Sequence, residues 1–126
     1  MNKCSGSSAV CINEEGKVLM VLQGTPEEDK KWSVPSGGKE QNETFMECCI
    51  REVEEETGYI GEVLEEIKVK RTVLDTYEVE VYYYLVKIVG GSMKIQDPDQ
   101  LIYDVAWKSF EELTDLEFSF PEDKAY

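Results

Sequence analysis

The chain has 126 residues, with 27 Asp+Glu against 13 Lys+Arg, no histidine and a formal net charge of −14. That length supports one domain, 1–126, with a real core, and 41% hydrophobic residues are globular rather than tail-like. The acidic balance argues against duplex nucleic acid and anionic membrane as partners. The lack of histidine excludes Ser-His-Asp and Cys-His catalysis and histidine-bearing zinc sites.

In chain order, Ser8 to Asn13 alternates and predicts a strand. Glu15-Gly16 reads as a turn and Lys17 to Gln23 as a second strand, so the two are expected to form a hairpin. A polar loop with Pro26 follows, then an extended piece from Trp32 into Gly37-Gly38. Glu43 to Thr57 has helical composition, with Asn42 as the expected N-cap and Gly58 as the C-cap. Val63–Val73 and Val79–Val89 are β-rich and predict a long hairpin. After the loop Gln96-Asp97-Pro98-Asp99-Gln100, Ile102–Trp107 reads as a strand, and Ser109 as the cap of a short helix through Leu113. This order predicts an α/β fold, a mixed β-sheet with a helix on each face.

No run approaches the roughly 18 apolar residues of a membrane helix, and no signal-type core follows Met1. A soluble, cytoplasmic protein is expected. Cys4, Cys11, Cys48 and Cys49 include no C-x-x-C pair and are read as small buried hydrophobes in a reducing compartment.

The helix carries the chemical signal. At about 100° per residue, Glu52, Glu55 and Glu56 share an arc of about 100°. Cys48, Cys49 and Val53 lie on or beside that side, where a core face would continue. Like charges at these spacings repel, near a helix C-terminus that disfavours anions. A cation held by oxygens, Mg²⁺ or Mn²⁺, is one explanation. A solvated glutamate-rich surface is the other, and Glu47 and Glu54 fit it. Arg51 can pair with Glu47 or Glu55 at i±4.

The preceding loop, Pro35-Ser36-Gly37-Gly38-Lys39-Glu40, lets backbone approach a metal or phosphate closely. It is not a Walker A loop, because Ser33 and Glu40 stand where that motif needs glycine and Ser/Thr. Loop and helix together read Gly37, five residues, Glu43, seven residues, Arg51-Glu52-Val53, one residue, Glu55-Glu56, one residue, Gly58-Tyr59. This resembles the Nudix box of the Nudix (MutT-like) hydrolases. Trp32, Pro35, Trp107 and Glu111-Glu112-Leu113 match the usual flanks. Tyr59, Ser36 and Asn42 depart from the family's usual residues, and none of them touches the carboxylates.

The resemblance implies an α/β/α sandwich that hydrolyses a nucleoside diphosphate linked to another moiety. The cofactor would be Mg²⁺, with Mn²⁺ as a substitute. Glu52, Glu55 and Glu56 would be metal ligands, joined by the Gly37 carbonyl. Arg51 would orient the carboxylates, Glu43 would brace the loop, and Glu52 would act as or position the general base. An additional acid is often recruited before the last strand, where Asp97 or Asp99 stands near Gln100. The expected partner is a small nucleotide, by elimination a (deoxy)nucleoside triphosphate. Tyr77 hints at dinucleoside polyphosphates, and a non-catalytic nucleotide-binding module is the reading from another class. Homodimers are frequent in the family, and the sequence does not decide the oligomeric state.

Overall fold

The computed structural model describes residues 2–24, 31–74, 76–94, 102–109 and 111–112. Their elements are β1 (Asn2–Cys11), β2 (Val18–Gln23), β3 (Lys31–Ser33), β4 (Ser36–Gly38), α1 (Phe45–Thr57), β5 (Tyr59–Leu74), β6 (Tyr77–Gly91) and β7 (Ile102–Lys108). They form a four-stranded mixed sheet, ordered β4-β1-β6-β5, and a three-stranded antiparallel sheet, ordered β3-β2-β7.

The predicted hairpin of the first two strands does not form. β1 runs parallel to β6 over its whole length, from Asn2 opposite Tyr77 to Cys11 opposite Val86. β2 belongs to the other sheet, and one bridge, Ile12 with Val18, links the two at the turn. The turn itself is as read, with Gly16 at φ 76° and Asn13 Oδ1 accepting from the Glu15 and Lys17 amides. What separates the strands is burial. Both faces of β2 are covered, Leu19 and Val21 in the main core and Val18 and Met20 in a second cluster with Val34. A strand buried on both faces takes a central place, which β2 finds between β3 and β7.

The β5–β6 hairpin is present and longer than expected, with three register shifts, two with the extra residue on β5 and one on β6. The main core joins Ala9 and Cys11 of β1, Cys49 and Val53 of α1, Tyr84 and Val86 of β6, and Ile102 and Val105 of β7. It therefore lies between α1, the mixed sheet and the antiparallel sheet. Burial pushes the Cys11 and Cys49 thiols up to about 12, so they behave as small apolar groups, as read from sequence.

The N-cap of α1 is Thr44, not Asn42. Thr44 and Glu47 form a reciprocal capping box: the Thr44 hydroxyl accepts from the Glu47 amide at 3.1 Å, and the Glu47 carboxylate from the Thr44 amide at 2.8 Å. T-x-x-E is the spacing that satisfies two orphan amides at once, which Asn42 cannot do. Glu43 thereby stands before the helix rather than in it. Gly58 closes the helix as predicted, at φ 84°. A helix begins after β7, where Ser109 and Glu112 exchange capping hydrogen bonds of 3.0 and 3.2 Å. Leu113, at its expected end, lies outside the described residues.

Candidate active site

The loop and the helix meet at Arg51. Its Nε and one terminal nitrogen donate to both oxygens of Glu43 at 3.0 and 2.6 Å, a bidentate pair. That same terminal nitrogen donates to the Gly38 carbonyl at 2.9 Å. The other donates to Glu52 at 2.7 Å and to Glu55 at 3.2 Å. Glu43 in turn accepts from the Glu40 amide at 2.9 Å. One guanidinium thus ties the loop backbone, the residue before the helix and two helix carboxylates together. Of the two i±4 partners expected for Arg51, Glu55 is found and Glu47 is not. The Glu47 carboxylate is occupied in the capping box.

The carboxylates differ in environment. Glu56 is buried, 5% exposed, and accepts from the Ser36 amide at 3.1 Å, so Ser36, expected not to touch the carboxylates, does touch one through its backbone. The Glu52 side chain is 14% exposed and Glu55 41%. Burial raises the Glu52 pKa above the usual carboxylate range, despite Arg51 beside it. The Arg51 hydrogen bonds do the reverse for Glu43, holding its carboxyl down to about 2. These acids are therefore not a solvated helix surface: Arg51 ties Glu43, Glu52 and Glu55 together, and Glu56 is buried.

Gly37 lies against this buried end. A Cβ placed there would overlap the Glu52 carboxylate, so glycine is what lets the strand pass. The Cys48 thiol donates to the Gly37 carbonyl at 3.6 Å. Gly37 O, Glu52, Glu55 and Glu56 make an oxygen donor set suited to a hard divalent cation. Among the described residues, no three acidic or thiol side chains converge into a ready cluster. Between Glu52 and Glu55 stands the Arg51 guanidinium. Asp97, Asp99 and Gln100 lie outside the described residues.

A cavity of about 380 Å³ opens beside the cluster and shares Ser36, Gly37 and Gly38 with it. It runs over the face of the mixed sheet opposite α1, past Gly6, Val81, Tyr83, Lys70 and Thr72. The sequence reading missed Lys70 and Thr72. Their signal was strand alternation, which places them on one face of β5 but does not show what that face meets. Of the tyrosine-rich run, Tyr83 lines the cavity, Tyr82 stacks on Phe45 with ring centres 3.9 Å apart, and Tyr77 is 44% exposed. Tyr82 against Phe45 and Tyr84 in the main core are taken up in packing. Tyr59, the departure at the end of the motif, accepts from the Trp107 indole at 3.3 Å and so tilts against β7.

The NUDIX domain profile matches residues 3–126. A mouse protein named 8-oxo-dGDP phosphatase NUDT18 is 30% identical over 107 residues, covering 84% of this chain and 32% of that one. The chain spans about a third of the length of the curated relatives it matches. A NUDIX hydrolase from Nitrosomonas europaea superposes with a TM-score of 0.85 at 21% identity, covering 96% of this chain and 83% of that one. A MutT protein from Methanosarcina mazei Go1 superposes at 0.77 and 20% identity, covering 98% and 89%. Motif, fold and profile agree: this chain belongs to the NUDIX domain family.

Proposed function

We propose that this chain is a Mg²⁺-dependent hydrolase that cleaves a phosphoanhydride bond of a small nucleotide, a (deoxy)nucleoside triphosphate or a close relative. The observation that carries this reading is the Arg51 network. It holds Glu52 and Glu55 in place beside Gly37, whose backbone also lines a cavity of about 380 Å³. The mouse relative's name, 8-oxo-dGDP phosphatase, supports a small nucleotide substrate. Tyr77 lies outside the cavity lining, which gives the dinucleoside polyphosphate reading no support here.

In this reading Gly37 O, Glu52, Glu55 and Glu56 hold Mg²⁺, with Mn²⁺ as a substitute. Bound there, the cation supplies counter-charge to phosphate oxygens and acidifies water. Glu52 accepts the proton of the attacking water. Arg51, anchored on Glu43 and Gly38, keeps Glu52 from swinging away. Ser36 fixes one oxygen of Glu56 through its amide. Glu43 acts at one remove, as the positioning residue for Arg51.

The test is turnover of a panel of nucleoside triphosphates, dinucleotides and nucleotide sugars with Mg²⁺ and with Mn²⁺. Release of phosphate, pyrophosphate or a nucleoside monophosphate is expected for at least one small nucleotide. Glu52→Gln and Glu56→Gln should each abolish it in folded protein. Metal-dependent binding without turnover across the panel would make the chain a nucleotide-binding module instead.

A further inference from the structure

We propose that Gly6 of β1 and Cys48 of α1 are positioning residues that hold the Gly37 carbonyl oxygen in place and so set the affinity of the site for a divalent cation. The inference rests on the proposed cation site and adds to it two residues that carry no carboxylate.

β4 spans only Ser36–Gly38, and each of its residues gives a backbone group to the acidic cluster. The Ser36 amide donates to Glu56 at 3.1 Å, the Gly37 carbonyl is the proposed ligand, and the Gly38 carbonyl accepts from Arg51 at 2.9 Å. The seat of β4 in the sheet therefore sets the backbone half of the site. Among the described residues β4 is an outer strand, and β1 is its neighbour, with Gly6 opposite Gly38, Ser7 opposite Gly37 and Ser8 opposite Ser36.

Gly6 decides how β4 lies against β1. A Cβ on Gly6 would stand 2.5 Å from the Gly37 carbonyl oxygen and 3.3 Å from its carbon. Backbone atoms cannot swing aside as the tip of a side chain does, so any larger residue here must move β4. Gly6 is buried and is not among the glycines of positive φ. Glycine is needed at this position for close approach, not for an unusual conformation.

Cys48 reaches the same oxygen from the helix. Its thiol donates to the Gly37 carbonyl at 3.6 Å, and its sulfur accepts from Arg51 at 3.9 Å. The guanidinium that holds Glu52 is thereby linked to the carbonyl beside Glu52. A thiol is a weak donor, so it orients the oxygen without competing strongly with a cation. Groups that orient metal ligands are worth about 10–100-fold in metal affinity.

The experiment titrates the full chain with Mn²⁺ alone and follows the free ion by electron paramagnetic resonance, well below the Tm of each variant. Gly6→Ala should weaken Mn²⁺ binding about tenfold or more. Cys48→Ala should weaken it about threefold, the size of one weak hydrogen bond. Gly61→Ala is the control. Its Cβ would stand 2.5 Å from the Val86 side chain, an equal overlap, but on β5 at the opposite edge of the sheet from β4. It should lower Tm and leave Mn²⁺ affinity unchanged. Wild-type affinity in folded Gly6→Ala or in Cys48→Ala overturns the inference. So does an equal loss in Gly61→Ala, which would reflect looser packing in general. Should Gly6→Ala fail to fold by circular dichroism, Cys48→Ala decides alone. Nucleotide turnover with Mg²⁺ is measured alongside. Weaker Mn²⁺ binding in both variants, with no turnover by wild type, supports the roles of Gly6 and Cys48 while it defeats the proposed reaction. Turnover by wild type, with Mn²⁺ affinity unmoved in either variant, leaves the reaction standing and defeats the inference. A wild type that binds no Mn²⁺ overturns both.

Discussion

Gly37→Ala should separate the fold from the chemistry. The new methyl would overlap the Glu52 carboxylate, which is the tip of a flexible side chain and can move. Moving it breaks the 2.7 Å hydrogen bond to Arg51. A charge-assisted bond of this kind contributes about 1.5–3 kcal/mol, and the displaced carboxylate recovers part of that from solvent. The expected loss of stability is therefore about 1–2 kcal/mol, a fall in Tm of less than about 8 °C for a chain of this size. Activity should suffer far more, because a misplacement of about 1 Å at a reacting group costs about 10²-fold. Steady-state kinetics with Mg²⁺ and thermal unfolding by circular dichroism read the two effects separately. Gly58→Ala is the contrasting case. Its φ is 84°, and an added Cβ would collide with the backbone of Ser92 and Lys94, so the fold must yield. It should lower Tm more than Gly37→Ala does. If Gly37→Ala retains kcat/KM within threefold, the position of Glu52 is not what turnover depends on, and the site assignment falls.

Thr44→Ala removes the capping box and should cost about 1 kcal/mol, seen as a lower urea midpoint with kcat unchanged. Arg51→Lys keeps the charge but loses the fork that joins Glu43, Gly38 and Glu52, so kcat/KM should fall about 10²-fold with a smaller effect on KM. Arg51 holds the Glu43 carboxyl at about 2 against an ordinary 4.5. A lowered folded pKa means that the pair's stability is fully present above about pH 4.5 and is lost as pH falls toward 2. The urea midpoints of wild type and Glu43→Gln should therefore differ by a constant amount above pH 5 and converge between 4.5 and 2.

Much of this site was readable because its residues are close in sequence. Helical periodicity alone brings Glu52, Glu55 and Glu56 to one side, and glycine spacing alone predicts a close backbone approach at Gly37. The hairpin error at β1 and β2 has the opposite origin. Two adjacent alternating runs look like partners, but β1 lies beside β6, some 75 residues away along the chain. Strand pairing of that range depends on which faces must be covered, and local pattern carries none of that information. The same gap hid Lys70. Its place in the cavity depends on three successive pairings, β4 with β1, β1 with β6 and β6 with β5. Thr44 is a different case: the T-x-x-E signature stands in the sequence, whereas Asn42 has only the residue type of a cap.

The distribution of charge around Arg51 gives Glu43 a role beyond stability. Glu40, Glu43, Glu52 and Glu55 all lie within ion-pair distance of a single guanidinium, and Glu43 takes two of its N–H groups at 3.0 and 2.6 Å. Because Glu43 stays ionised down to about pH 2, Arg51 is committed to it at any physiological pH. What reaches Glu52 is one hydrogen bond, too little to offset the effect of burial on that carboxyl. The carboxylate oxygens of Glu52 and Glu56, held at this buried end, are what would draw a divalent cation. Glu43→Gln should release Arg51 toward Glu52 and make the guanidinium a stronger competitor for that carboxylate. Mn²⁺ affinity, measured by electron paramagnetic resonance, should then fall about three- to tenfold, on the order of 1 kcal/mol. Glu47→Gln is the control, since it removes the same charge from the same region without touching Arg51. An equal loss in both variants would mean that Mn²⁺ responds only to net charge, and that Glu43 does not act through Arg51.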